Sequence, residues 1–139
     1  MTKSLEFRNR AVHKVRKAES HKVNFMRIER FEDIISWQKA KELVCGIYSI
    51  FKLHRDFGFK DQIQRAGVSI MNNIAEGFER QSDKEFMRFL FIAKGSCAEV
   101  RSMLVLALEL KYINDNQYNK LNNLSVEVSK LLSGFIKKL

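Results

Sequence analysis

The sequence has no proline, only two cysteines (Cys45 and Cys97) and six glycines in 139 residues. Without proline no helix is broken from within, and the lack argues against a loop-rich or sandwich fold; abundant Leu, Ile, Phe, Lys and Glu suit long helices instead. Two cysteines make no disulfide framework. Cys97 falls within a run of core-spaced residues, so both read as reduced thiols rather than as a disulfide or part of a zinc site, which needs about four closely spaced ligands. Long hydrophobic runs are also missing. The most apolar window, Phe86 to Leu110, is interrupted by Arg88, Lys94, Glu99, Arg101 and Glu109. The N-terminus lacks an apolar signal-peptide core, so a soluble cytoplasmic protein with no membrane partner is expected. There is no phosphate-cradling glycine loop, and nothing calls for a cofactor, metal or small-molecule substrate.

Positive charge is in excess. Lys and Arg number 25 against 16 Asp and Glu, a formal net charge of +9. Residues 1–30 hold nine of those cations, Lys14, Arg16 and Lys17 among them, against Glu6, Glu19 and Glu29. The segment has no sustained apolar period, although Leu5, Val12 and Val15 could line one side of a short basic helix. It reads as a flexible basic arm, residues 1–30, ahead of one folded domain, residues 31–139. Such an arm either contacts RNA or DNA electrostatically or is a solubilising extension from an upstream start, since Met26 lies just before the domain.

The domain reads as four helices. The first spans about Asp33 to Leu53, with Trp37, Ala40, Val44, Ile47 and Phe51 on one stripe. The second spans about Lys60 to Phe78, with Ile63, Gly67, Ile70 and Ile74 on one face and Ala66 and Gly67 small enough for close approach. Gly77 reads as its C-cap, and Ser82 with Glu85 as the capping signature of the third helix, from Asp83 to about Leu110. The fourth begins near Asn114, capped with Gln117, and buries Tyr118, Leu121, Leu124, Val128, Leu131, Leu132 and Phe135. Short connections make the helices antiparallel. In the third helix Phe86, Leu90, Ala93, Cys97, Val100, Leu104 and Ala107 form an unbroken heptad seam. Phe89, Ile92, Ser96, Met103, Leu106 and Leu110 form a second stripe, which predicts coverage by other subunits unless these side chains simply widen the core face. The fold class is therefore all-α, an antiparallel up-down four-helix bundle assembling into a homo-oligomer.

Ser69-Ile70, Asn73-Ile74-Ala75-Glu76-Gly77, Lys84-Glu85-Phe86, Arg88-Phe89-Leu90, Ile92-Ala93, Gly95-Ser96 and Ala98-Glu99 together resemble the 23S rRNA intervening-sequence proteins, a four-helix-bundle family. The likeness extends upstream to Phe31-Glu32-Asp33 and Trp37-Gln38-Lys39-Ala40 and downstream to Glu109-Leu110; residues 1–30 lie outside it. The resemblance implies a small bacterial protein folded as an up-down bundle and assembled as a ring, commonly a pentamer. A related group, the accessory variability determinants of diversity-generating retroelements, shares the bundle and binds nucleic acid through a basic surface. That likeness is an analogy of fold.

Catalytic templates fail. His13 and His21 fall in the arm and His54 at a helix end, so no histidine shares a helical face with Cys45 or Cys97. Asn73 and Glu76 share a helix surface, and Glu99 lies near Ser96 and Met103. Converging, they could form an acid/base pair; the structural alternative is that buried carboxylates take donors from Asn73, Ser69 or Ser96 and fix helix register. No sugar cleft for paired carboxylates is predicted. Candidates for an electrostatic surface are Arg80, Lys84 and Arg88 at the corner between the second and third helices, and Lys94 and Arg101, spaced to share one side of the third. Two expectations follow. One is a non-enzymatic ring that holds RNA or DNA without reading sequence; the other is a protein scaffold whose charge serves solubility.

Overall fold

The computed structural model describes residues 29–139; Lys14, Arg16 and Lys17 and the rest of the arm before Glu29 lie outside them. A 3-10 turn, Phe31–Asp33, precedes four helices: α1 (Ile35–Ile50), α2 (Phe57–Phe78), α3 (Asp83–Glu109) and α4 (Asp115–Lys138). Among the described residues there is no strand.

Pairwise contacts run in opposite chain directions, which fixes each neighbouring pair as antiparallel. Between α2 and α3, Gln62 meets Glu99, Ser69 meets Ser96, and Gly77 meets Phe89. Between α3 and α4, Phe86 meets Phe135 and Cys97 meets Ser125. Between α4 and α1, Glu127 meets Lys39 and Leu121 meets Gly46. Helices α1 and α2 pack through Val44 and Ile47 against Gly67, where an added Cβ would stand 3.2–3.3 Å from their methyl groups. The close approach expected of Gly67 is thus present. All seven residues of the heptad seam on α3 are buried, with Ile47, Ile63, Ile70, Ile74 and Leu121 fully enclosed opposite them. Burial of each large apolar side chain contributes about 1.5–3 kcal/mol before entropy is counted.

Local signals set most helix starts. Ser82 Oγ accepts from the Glu85 N–H at 3.1 Å. Asn114 and Gln117 cap reciprocally, each side chain accepting the other's N–H. The first turn of α2 begins three residues earlier than expected, because Asp56 Oδ1 accepts from the Phe59 N–H and draws Phe57 and Gly58 into the helix. Helix α1 is shorter at both ends than the expected span of Asp33 to Leu53, and its start has no side-chain cap. Buried Ile34 takes the N-cap position, and Gln38 Nε2 donates to the Glu32 carbonyl at 2.9 Å.

Gly77 is not the left-handed C-cap that its position suggests. It is helical, α2 continues through Phe78, and no glycine among the described residues has positive φ. The residue that does is Lys111, at φ 60°, just beyond α3. There the Tyr112 N–H donates to the Ala107 carbonyl at 2.8 Å and the Lys111 N–H to Leu108 at 3.0 Å, the pattern of a Schellman ending.

At the same end of the bundle a side-chain clasp joins two connections distant in sequence. Tyr112 Oη donates to Asp56 Oδ2 at 2.7 Å, and the His54 ring lies 4.2 Å from the Tyr112 ring. His54 Nδ1 accepts from the Asp56 N–H, and Phe59 meets Tyr112 edge-on at 5.3 Å. The Tyr112 hydrogen bond, then that from the Phe59 amide, holds the Asp56 carboxyl below its usual range; the same bond to Asp56 raises Tyr112.

Candidate functional site

With its seam facing the core and its flanks packed on α2 and α4, α3 presents one outer face to solvent. Phe89 and Ser96 are half-buried and Met103 buried within the bundle, so the second stripe splits. The large side chains that α3 leaves exposed are Phe91, Ile92, Val105, Leu106 and Leu110. Phe91 and Val105 were absent from the expected stripe; the buried seam places them opposite the core at the helical period.

The N-terminal half of this outer face combines charge with apolar surface. Lys84, Met87, Arg88, Phe91 and Ile92 line a shallow open hollow. Lys84 and Arg88 are one turn apart and exposed, and among the described residues no carboxylate lies within ion-pair distance of either. Lys94 and Arg101, two turns apart, take a different flank, about 120° around the helix from Arg88. Arg101 there lies near the Cys97 thiol, which donates to the Ser125 carbonyl of α4. The four cations therefore do not form one patch.

Arg80 is engaged elsewhere. Its Nη2 donates to Glu76 Oε1 at 2.6 Å, and its guanidinium lies 4.8 Å from the centre of the Phe89 ring. The α2–α3 corner is thus braced by a cation held between a carboxylate and an aromatic face.

The expected polar network exists without its carboxylates. Ser69 Oγ and Ser96 Oγ are 2.8 Å apart, and Asn73 Nδ2 donates to the Ser69 carbonyl at 2.7 Å and to Ser69 Oγ at 3.0 Å. Glu76 and Glu99 are exposed, the first bonded to Arg80 and the second to Gln62 Nε2 at 3.4 Å. Gln62 and Glu76 are separated by about 21 Å of helix rise, so Glu76 and Glu99 are too distant to act as an acid/base pair. The reading of these carboxylates as buried groups is corrected: both point to water, where solvation is cheaper than any internal partner. Gly77, whose role is close approach, and Gly95, with nothing within 4 Å of an added Cβ, complete the motif.

Among the described residues no three His, Cys, Asp or Glu side chains are grouped to hold a metal, and no helix is long and apolar enough to cross a membrane. Burial pushes the Cys97 thiol up to about 11, partly opposed by Arg101, so it is a poor nucleophile at neutral pH. The site's chemistry is that of an exposed cationic and apolar surface, able to hold an anion by charge.

Comparison with known proteins is consistent with this architecture. A crystal structure of a protein of unknown function from the S23 ribosomal protein family of Bacteroides thetaiotaomicron VPI-5482 superposes with a TM-score of 0.70 and 34% identity, covering 74% of this chain and 99% of that one. Among curated proteins no match is found. The model of the 23S rRNA-intervening sequence protein family matches residues 32–134, the whole bundle from the 3-10 turn to the last turns of α4. With that span and that structural relative, the chain belongs to the 23S rRNA-intervening sequence protein family.

Proposed function

We propose that this protein is a non-enzymatic, homo-oligomeric nucleic-acid-binding protein that grips phosphates of RNA or DNA without reading sequence. The observation that carries the reading is the placement of charge. Nine of the 25 cations lie in residues 1–30, and the described chain enters the bundle at the end where Lys84 and Arg88 stand unpaired. That end also carries Lys137 and Lys138 in the last turn of α4. Cations of the α3 surface and the C-terminus thereby share the end at which the described chain enters the bundle, and binding by such groups is driven by counterion release.

Assembly supplies repetition. The C-terminal half of the outer α3 face carries Val105, Leu106 and Leu110, each about half-exposed, beside the small residues Ala98 and Ser102. This is the surface on which a second copy packs, closing a ring of five as the family resemblance implies. A ring repeats the Lys84–Arg88 pair once per subunit and turns modest local charge into a band.

Light scattering on a size-exclusion column, with and without a mixed-sequence RNA of about 30 nucleotides at two salt concentrations, tests both parts. A ring-sized particle that takes up RNA at low salt and releases it at higher salt, with weaker uptake by Arg88→Glu, is expected. A monomer overturns the assembly. A ring indifferent to RNA at both salts overturns the binding and leaves a protein scaffold as the reading.

A further inference from the structure

We infer that the hollow on the N-terminal half of α3 accepts a single strand, with an unpaired base stacked on Phe91 while Lys84 and Arg88 hold the phosphates to one side of it. This deepens, and rests on, the nucleic-acid reading above. Phe91 is 54% exposed, although it sits in a well-formed helix with an apolar core immediately behind it. It stands three residues beyond Arg88 and seven beyond Lys84, so the ring and both cations share one ridge of the helix. One turn further on is Gly95, where an added Cβ would meet nothing within 4 Å, so no side chain blocks the approach to the ring. Met87 and Ile92 form the apolar walls of the same hollow.

The composition of the hollow decides between occupants. Two cations unpaired among the described residues call for an anionic partner, which argues against a second copy of this basic chain at this half of the helix. An apolar, aromatic floor beside them is of no use to duplex backbone, whose bases are already stacked, but every unpaired base has a face that an aromatic ring can cover. Stacking of this kind tolerates any sequence, in keeping with a site that shows no donor and acceptor pattern for base edges.

Fluorescence anisotropy with the full chain tests this, using one labelled strand of about 20 nucleotides in three forms: single-stranded RNA, the same RNA in a duplex, and an abasic strand that keeps its phosphates. The single strand should bind on the order of tenfold more tightly than the abasic strand, Phe91→Ala should abolish that difference, and Phe91→Trp should restore it. Arg88→Glu should weaken all three forms. Equal affinity for the abasic strand, or a Phe91→Ala variant that binds like wild type, overturns the stacking while leaving phosphate binding intact if Arg88→Glu still weakens it. Absence of binding to every form overturns both readings. A Phe91→Ala variant that falls to a smaller particle in light scattering also overturns the inference, because the ring then belongs to a subunit interface.

Discussion

Replacing Gly77 with alanine adds one methyl group at the narrowest point between α2 and α3, and the expected result is a loss of about 2 kcal/mol of stability. The new Cβ would stand 2.6 Å from Phe89 Cβ, 3.0 Å from Phe86 Cδ1 and 3.4 Å from the Phe86 carbonyl oxygen. Carbon atoms in contact prefer about 3.5–4.0 Å, so the helices must part by about 1 Å. No change of rotamer relieves the clash, because Phe89 Cβ is attached directly to the α3 backbone. Overpacking of this kind costs about 1–3 kcal/mol, while the higher helix propensity of alanine returns at most about 1 kcal/mol, and less in a last turn. Gly95→Ala is the matched control. It is the same chemical change in another helix interior, but with nothing within 4 Å, and should stabilise by about 0.5–1 kcal/mol. Urea unfolding followed by circular dichroism at one fixed protein concentration reads both. With a slope of about 2 kcal/mol per molar, Gly77→Ala lowers the midpoint by about 1 M and Gly95→Ala raises it by about 0.3–0.5 M. A Gly77→Ala protein as stable as wild type would refute the close approach argued for α2 and α3.

Lys111 adopts φ 60° without being glycine, so Lys111→Gly should raise stability by about 0.5–1 kcal/mol in the same assay; a loss would mean that the Lys111 side chain has a partner of its own. Near pH 8 a chromogenic disulfide should titrate one thiol per chain quickly, exposed Cys45, with Cys97 reacting only after denaturation; a fast phase that survives Cys45→Ser would contradict the burial of Cys97 and its elevation to about 11. Tyr112→Phe removes the hydrogen bond to Asp56 and should destabilise the bundle in a pH-dependent way. Asp56 is held below its ordinary value of 3.8, so its contribution is present above that value and lost as pH falls through the lower folded value. Tyr112 is raised above 10.0, so its contribution is present below that value and lost as pH rises through the folded one. The wild-type advantage in thermal unfolding should therefore be level between these limits and shrink outside both; an advantage unchanged at pH 3 would refute the assignment of the Asp56 shift to this bond.

What could be read from the chain in advance was what depends on near neighbours. The seam on α3 and the caps at Ser82 and Asn114 involve residues three to seven apart, and a helical period or a side-chain oxygen determines them locally. Gly77 shows the limit of such reading. A glycine near a helix end looks like a C-cap from its neighbours, but its real constraint is Phe89, which only the packing of a second helix brings close. The contact of the Arg80 guanidinium with the Phe89 ring is hidden for the same reason, because the ring belongs to another helix. Periodicity located apolar stripes but not their depth, so Met103 and Leu106 were grouped together although one is buried and the other is not. The surface candidates Lys84 and Arg88 lie where the helix pattern places them; Phe91 belongs to neither apolar stripe, and its exposure follows only once the seam is packed.

The clasp of His54, Asp56, Phe59 and Tyr112 has a kinetic consequence. The α1–α2, α2–α3 and α3–α4 pairings are hairpins of adjacent segments and need little chain diffusion, whereas the Tyr112–Asp56 bond joins residues 56 positions apart. Contacts that close a long loop form late, after the local hairpins have met the entropic cost of ordering the chain between them. The clasp then acts as a latch on the finished bundle: it contributes little to the speed of assembly and resists escape, so damage to it shortens the lifetime of the native state while leaving the refolding rate almost unchanged.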